Sequence, residues 1–325
     1  MEIAIPFAQV EAINPNINIG NFEESLGSYF KCIVVCFATC RRVEPGATLV
    51  LYTNKPVAAE YSTSLVKLGV EIRIIEFNFN PPKIFGDRFR GCFFLFDAMR
   101  NIPESTLFID PDIIAVDAFS QIQTMCGDKF GIFRLDFKKE TFVNGIELET
   151  ARSIYNRYLS NSKQYQLPEI SGHLGGEIFF VPYSQSKEIN LKISTLWAWN
   201  VNQAVNGTNF LTTEEHILNQ LIEASESVEL NSVISRIWTT KKFTTHQGNN
   251  DDINTLIFWH LPAEKSRGFI RMYNTLMENK FELSFDNQKF KNEVRKIMSI
   301  DKKLNLLLSQ VYSSRMGAMV RKIKF

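Results

Sequence analysis

The sequence predicts an α/β fold with a mostly parallel sheet, and three observations predict it. Short apolar runs alternate with helical stretches through the first hundred or so residues. Those runs are nearly continuous, which suits strands covered on both faces. A chain of 325 residues with 45% hydrophobic content also has enough apolar material for one large core. The elements follow in order. "IAIPFA" (3–8) reads as the first strand, and residues 21–42 have helical periodicity behind the cap candidate Asn21. "ATLVLYTN" (47–54) is the second strand, residues 58–69 a helix closed by Gly69, and "VEIRIIEF" (70–77) the third strand. A helix over 88–102 leads into "STLFIDPDIIAV" (105–116), the fourth strand. Right-handed crossovers would gather the strand C-termini on one edge, where such sheets bind ligands.

The second half is mixed. Helices are expected at 147–160, 187–205 and 213–224. "SGHLGGEIFFVPY" (171–183) places a Gly-rich turn before a β run, and "TLIFWH" (255–260) is a late strand. From Lys265 onward the net charge is +9, against −8 for the residues before it. No internal repeat or low-complexity segment is present.

A formal net charge of +1 argues against a nucleic-acid partner. Cys32, Cys36 and Cys40 fall at helical spacing and read as buried thiols, since no CxxC pair or Cys/His spacing supports a zinc site. A reducing, cytoplasmic location fits that usage. The start, "MEIAIPFAQVEAINPN", lacks a basic n-region and a long apolar stretch, so no signal peptide is expected. No window reaches the roughly 18 to 20 apolar residues of a spanning helix.

Asp110 and Asp112 break the fourth apolar run at its centre. Two carboxylates inside a strand need something to cancel their charge. Where the chain turns out of a sheet, Asp-x-Asp can aim both at one point, and oxygen ligands of this kind suit Mg²⁺ or Mn²⁺ shared with substrate phosphates.

The order of the segments resembles the GT-A glycosyltransferases, and within them the glycogenin and bacterial lipopolysaccharide galactosyltransferase group. "LFIDPD" stands where that group has a "YLDxD"-like segment, and "GHLGGEIFFV" where it has an "NxGxxL"-like one. "TEEHILNQL" takes the place of a "DQDILN" helix start. "FWHLPAEKSRGF" takes the place of a strand-end His followed by "KPW". The match runs over residues 3–270. The sequence departs from the pattern in three places. The last element lacks its glycine and its "PW". Glu214, Glu215 and His216 replace Asp, Gln and Asp, and "PFAQVEA" lacks the usual Asp after the first strand.

The resemblance implies a Rossmann-like GT-A domain, and the change of charge at Lys265 marks a C-terminal helical basic tail after it. Residues 1–116 would be its nucleotide-sugar-binding half, 117–264 its acceptor-side half and 265–325 the tail. It implies Mn²⁺ or Mg²⁺ on Asp110, Asp112 and His260, with His246 of "TTHQGNN" the competing histidine. Ala8, Arg88, Arg90, Asp110, Asp112, Gly175, Gly176 and Lys265 would meet the nucleotide sugar, with Arg267 also facing the leaving diphosphate. Gly175 and Gly176 would let backbone approach that ligand closely. Glu214 or Glu215 would act at the sugar or the acceptor hydroxyl; alternatively both simply favour the dipole of a helix capped by Thr212 or Thr213.

The implied activity is transfer from a nucleotide-diphosphate sugar, UDP-linked by preference, to a glycan, lipid-linked or protein hydroxyl in glycan or polysaccharide synthesis. The resemblance favours retention of configuration. A sugar-1-phosphate nucleotidyltransferase shares the α/β half, but "PFAQVEAINPN" is not its Gly-rich, basic loop. A non-catalytic GT-A-like binding protein is the other alternative. The last stretch (303–325) mixes "LNLLL", "VY" and "MGAMV" with arginines and lysines. That pattern suits either a helix lying on an anionic membrane or one packed on the catalytic domain.

Overall fold

The computed structural model describes residues 1–10, 22–87, 89–161, 172–223, 225–239, 253–278 and 286–300. Arg88, His246 and the stretch 303–325, all singled out above, lie outside them. The fold is mixed α/β, as the sequence predicts.

β1 (Glu2–Phe7) leads into α1 (Phe22–Val43), which has Glu23 and Glu24 in its first turn and Arg41 and Arg42 in its last, each complementing the helix dipole. β2 (Thr48–Thr53), α2 (Ala59–Lys67) and β3 (Val70–Ile74) follow. The helix expected over 88–102 is shorter: Arg90–Phe93 form a 3₁₀ turn and α3 spans only Phe94–Arg100. β4 (Thr106–Ile109) and β5 (Ile113–Ala115) flank the Asp110–Asp112 turn. Next come α4 (Gln121–Cys126), β6 (Phe130–Leu135), β7 (Phe142–Val143), β8 (Ile146–Glu147) and α5 (Leu148–Asn161). β9 (His173–Val181), α6 (Ser186–Val205), α7 (Glu214–Ile222), β10 (Ser227–Glu229) and β11 (Ile234–Arg236) continue the chain. β12 (Phe258–His260), α8 (Gly268–Met277) and α9 (Asn287–Met298) complete the described elements.

The main sheet has the order β10-β6-β9-β4-β1-β2-β3. β3, β2, β1 and β4 are parallel, β9 runs antiparallel between β4 and β6, and β10 pairs parallel with β6. Ile3 and Ile5 face Phe30, Ile33 and Phe37 of α1 on one side. Ala4 and Val50 face Phe94 and Phe96, with Leu196 and Ile217 in the same cluster, on the other. Both faces are therefore covered, which explains the continuous apolar runs.

A second sheet, β11-β12-β5, rests on a third cluster containing Trp259, Phe269, Phe290, Cys32 and Val35. Cys32, Cys36 and Cys40 are free and buried, as expected. The late strand is only the last half of "TLIFWH". "HLGGEIFFV" is strand from its first residue, so Gly175 and Gly176 lie within β9 and not in a turn before it. Among the described residues, no helix is long and apolar enough to cross a membrane.

Candidate functional site

Non-local strand pairings assemble the polar site past the end of β4. Asp110 N–H donates to the Glu177 carbonyl at 2.9 Å, extending the β4–β9 ladder and setting Glu177 opposite Asp110. The Asp112 carbonyl accepts Leu261 N–H at 3.0 Å where β5 pairs antiparallel with β12, which places His260 beside Asp112. β11 pairs parallel with β12 and puts Arg236 level with His260.

Asp112 is fully buried. Its Oδ2 lies 2.8 Å from Lys265 Nζ and 3.1 Å from His260 Nε2. These cations answer the charge problem posed by the sequence. Burial alone would raise the Asp112 carboxyl, but Lys265 and His260 outweigh it and hold the group well below the usual carboxylate range. Asp110 differs: its side chain is 42% exposed and its Oδ2 is 3.8 Å from His260 Nε2. Desolvation and then the Asp112 charge push it up to about 7. The His260 ring, which burial would discharge, is raised to about 9 by Asp112 and Glu177. Lys265 is held in place from below, with its carbonyl accepting Ser28 Oγ at 3.0 Å.

Asp110, Asp112 and His260 offer donor atoms that all lie within 4.8 Å of one another. Asp112 Oδ1 is buried and has no hydrogen-bond partner. Two carboxylates and an imidazole, with one buried oxygen unspent, fit Mn²⁺ or Mg²⁺, the nitrogen being the more natural for Mn²⁺.

The two candidate glutamates differ sharply. Glu215 Oε1 accepts Gly176 N–H at 2.9 Å, while its Oε2 accepts Asn144 Nδ2 at 2.6 Å and meets His173 Nε2 at 3.3 Å. Burial would raise it, but the His173 contact outweighs this and lowers it. Glu214 Oε2 is buried without a partner. Burial and then the Glu215 charge raise the Glu214 carboxyl well above the ordinary range, and Asp110 adds to the effect. Thr213 caps the helix by accepting His216 N–H, and both glutamates lie in its first turn, where a carboxylate favours the dipole.

The glycines make room for carboxylates. A Cβ at Gly176 would come within 2.7 Å of Glu215 Oε1, and one at Gly175 would overlap Glu177 Oε2. Ala8, nearly buried, follows β1, and its carbonyl would lie 3.7 Å from a Cβ on Gly91. Arg90 turns to Asn80 (3.0 Å) and Asp87 (3.8 Å), and Arg267 to Glu264 (3.7 Å), so the polar contacts of these two arginines lie off the aspartates.

Sequence reasoning missed Glu177, Arg236, His173 and Asn144. Glu177 Oε1 contacts Arg236 Nε and lies 3.4 Å from His260 Nδ1. Asn144, at φ 49°, forms with Gly145 the two-residue turn of the β7–β8 hairpin. The dipeptide Asn-Gly was a legible hairpin signal. A lone charge in "EIFFV" behind two glycines was a legible sign for Glu177.

No family model and no curated protein sequence matches the chain. Solved structures similar to it are glycosyltransferases. The galactosyltransferase LgtC in complex with donor and acceptor sugar analogs aligns over 93% of this chain and 97% of its own, at 12% identity and a TM-score of 0.47. The bifunctional glycosyltransferase WbbM aligns over 80% of this chain at 12% identity and a TM-score of 0.44. GlyE of Streptococcus pneumoniae TIGR4 aligns over 70%, at 11% and 0.41. The chain spans 45% of the length of each of these last two.

Proposed function

We propose that the chain is a GT-A-type glycosyltransferase that moves a sugar from a nucleotide-diphosphate donor, a UDP-sugar by preference, to a hydroxyl acceptor. The observation that carries the reading is the convergence of Asp110, Asp112 and His260 at the end of the parallel strands, with one buried carboxylate oxygen unspent. Asp110, Asp112 and His260 would hold Mn²⁺ or Mg²⁺, which when bound supplies positive charge for the diphosphate of the donor.

The chain's own groups do the rest. Lys265 brings an ammonium that can meet phosphate as a point charge. Glu215, committed to Gly176, Asn144 and His173, holds the start of α7 against β9. Glu214 is the acid–base candidate: burial and the neighbouring Glu215 charge raise its carboxyl well above the ordinary range, which favours the protonated form, and its Oε2 has no partner. It can therefore donate a hydrogen bond to the sugar or to the leaving oxygen. Retention of configuration is the stereochemistry we propose, on the resemblance of the motifs. The basic tail remains our candidate for peripheral contact with an anionic membrane.

The test is a panel of nucleotide sugars incubated with Mn²⁺, following release of the nucleoside diphosphate. Release from one donor class, abolished by chelator and by Asp110→Asn, is the expected result. Donor binding without release from any member would favour the non-catalytic binding protein instead.

A further inference from the structure

Glu177 has no role in the activity proposed above, yet a fully apolar residue would suit its place better. It sits in β9 among Ile178, Phe179, Phe180 and Val181, all buried, and its own side chain is 2% exposed. Burying a carboxylate there is costly. The fold also makes space for it, since a Cβ on Gly175 would overlap Oε2.

We infer that Glu177 is a positioning residue for His260, an inference that rests on the metal-site reading above. Its Oε1 lies 3.4 Å from Nδ1, on the ring edge remote from the aspartates. Nε2, the opposite edge, lies 3.1 Å from Asp112 Oδ2 and 3.8 Å from Asp110 Oδ2. A carboxylate at Nδ1 keeps a proton on that nitrogen. Nε2, which faces Asp112 as a donor in the metal-free chain, is then the nitrogen that can give up its proton and offer a lone pair to a cation between the aspartates. The carboxylate also limits rotation of the ring about its χ2 axis.

Arg236 contacts the same Oε1 and shares with the His260 ring the balancing of the buried carboxylate, so Glu177 does not depend on Arg236 alone for its charge. Arg236 also keeps Glu177 from swinging toward the cation as a ligand. The arrangement depends on three backbone placements: β9 beside β4, β12 beside β5, and β11 beside β12.

Mn²⁺ binding to the full chain, measured by titration calorimetry and by electron paramagnetic resonance without any donor, tests this. Glu177→Gln should weaken Mn²⁺ binding about 10- to 100-fold, the usual cost of losing the partner of a metal-binding histidine. It should also alter the nitrogen hyperfine coupling from the imidazole. Arg236→Met should weaken binding far less. Unchanged affinity and coupling in folded Glu177→Gln overturns the inference, as do equal losses in the two variants, which would make the ion pair a scaffold only. If either single variant fails to fold, the paired variant Glu177→Gln, Arg236→Met removes both charges together. Weakened binding there supports the inference, and wild-type binding overturns it. Asp112→Asn separates the two readings. If Mn²⁺ binding survives Asp112→Asn, the cation lies elsewhere and the triad reading itself fails, taking the role of Glu177 with it.

Discussion

Glu2 and Asp112 are both fully buried carboxylates, reached from the neighbouring parallel strands β1 and β4, yet their surroundings are built differently. Glu2 opens β1 and takes Tyr52 Oη at 2.9 Å and Arg73 Nη1 at 2.7 Å, while Arg73 uses its Nη2 on Glu71 at 2.7 Å. None of Glu2, Tyr52 and Arg73 keeps a buried polar atom without a partner. Past the end of β4, Asp112, Glu177 and Glu214 each keep one. An orphaned buried polar atom costs about 1–3 kcal/mol, so the second cluster is less stable than side chains of these sizes could make it. Buried charge alone does not mark a site on this sheet. Unspent hydrogen-bonding capacity gathered beside the two aspartates points to one, because a bound ligand can use it.

The largest effect should come from Asp112→Asn. It leaves Lys265 and His260 facing a neutral group, and removing one partner of a buried ion pair costs roughly 3–5 kcal/mol. Urea unfolding of the metal-free chain should show that loss, and Mn²⁺ should no longer raise the midpoint. A variant as stable as the wild type would mean that Asp112 is as dispensable as an ordinary strand-end carboxylate.

Glu214→Gln sharpens the contrast from the open side. Turnover of the nucleotide sugar should fall by about 10². The unfolding midpoint should hold or rise, because burial already favours the neutral form of that carboxyl and its Oε2 has no partner. A loss of stability with full turnover would give Glu214 a structural role instead.

Glu2→Gln tests the closed side. Weakening two bonds to buried groups should cost about 1–3 kcal/mol in unfolding free energy. Donor turnover, measured at a temperature where the variant is fully folded, should not change. A turnover defect there would erase the distinction between the clusters.

The smallest effect concerns His216, a closed histidine beside the open site. It is fully buried, with Nδ1 3.0 Å from Thr213 Oγ1 and Nε2 3.1 Å from the Val143 carbonyl. Burial, then the neighbouring His173, lowers it from 6.5 to about 3. Between those values the unfolded chain binds a proton that the folded chain refuses, so stability falls as pH drops from about 6.5 towards 3. His216→Gln should flatten that part of the urea-midpoint profile between pH 7 and 5. An unchanged slope would place the acid sensitivity in other groups.

Much of the fold was legible because its signals are local. Apolar runs and helical periodicity set β1 to β4 and α1 to α3, since a strand covered on both faces must read as continuous. The Asp110–Asp112 turn was legible for the same reason: charges interrupting such a run are costly wherever the chain goes. β6 was missed, although "FGIFRL" is nearly all apolar, because Gly131 weakens its strand signature; a Cβ there would meet Cys126 Sγ at 2.7 Å. The glycines of β9 read as a turn because their reason is tertiary: they clear space for Glu177 and Glu215, the second reaching in from another element.

Sequence by itself determined which residue types could gather at the strand ends, Asp110, Asp112 and His260 among them. Tertiary structure alone decided which of them are spent. The antiparallel β5–β12 pairing brings His260 against Asp112, and the insertion of β9 beside β4 brings Glu177 behind that ring. The β7–β8 hairpin carries Asn144 to Glu215, so that Glu214 and not its neighbour keeps a free oxygen. These pairings join positions as much as 148 residues apart, and no local preference of the chain encodes them.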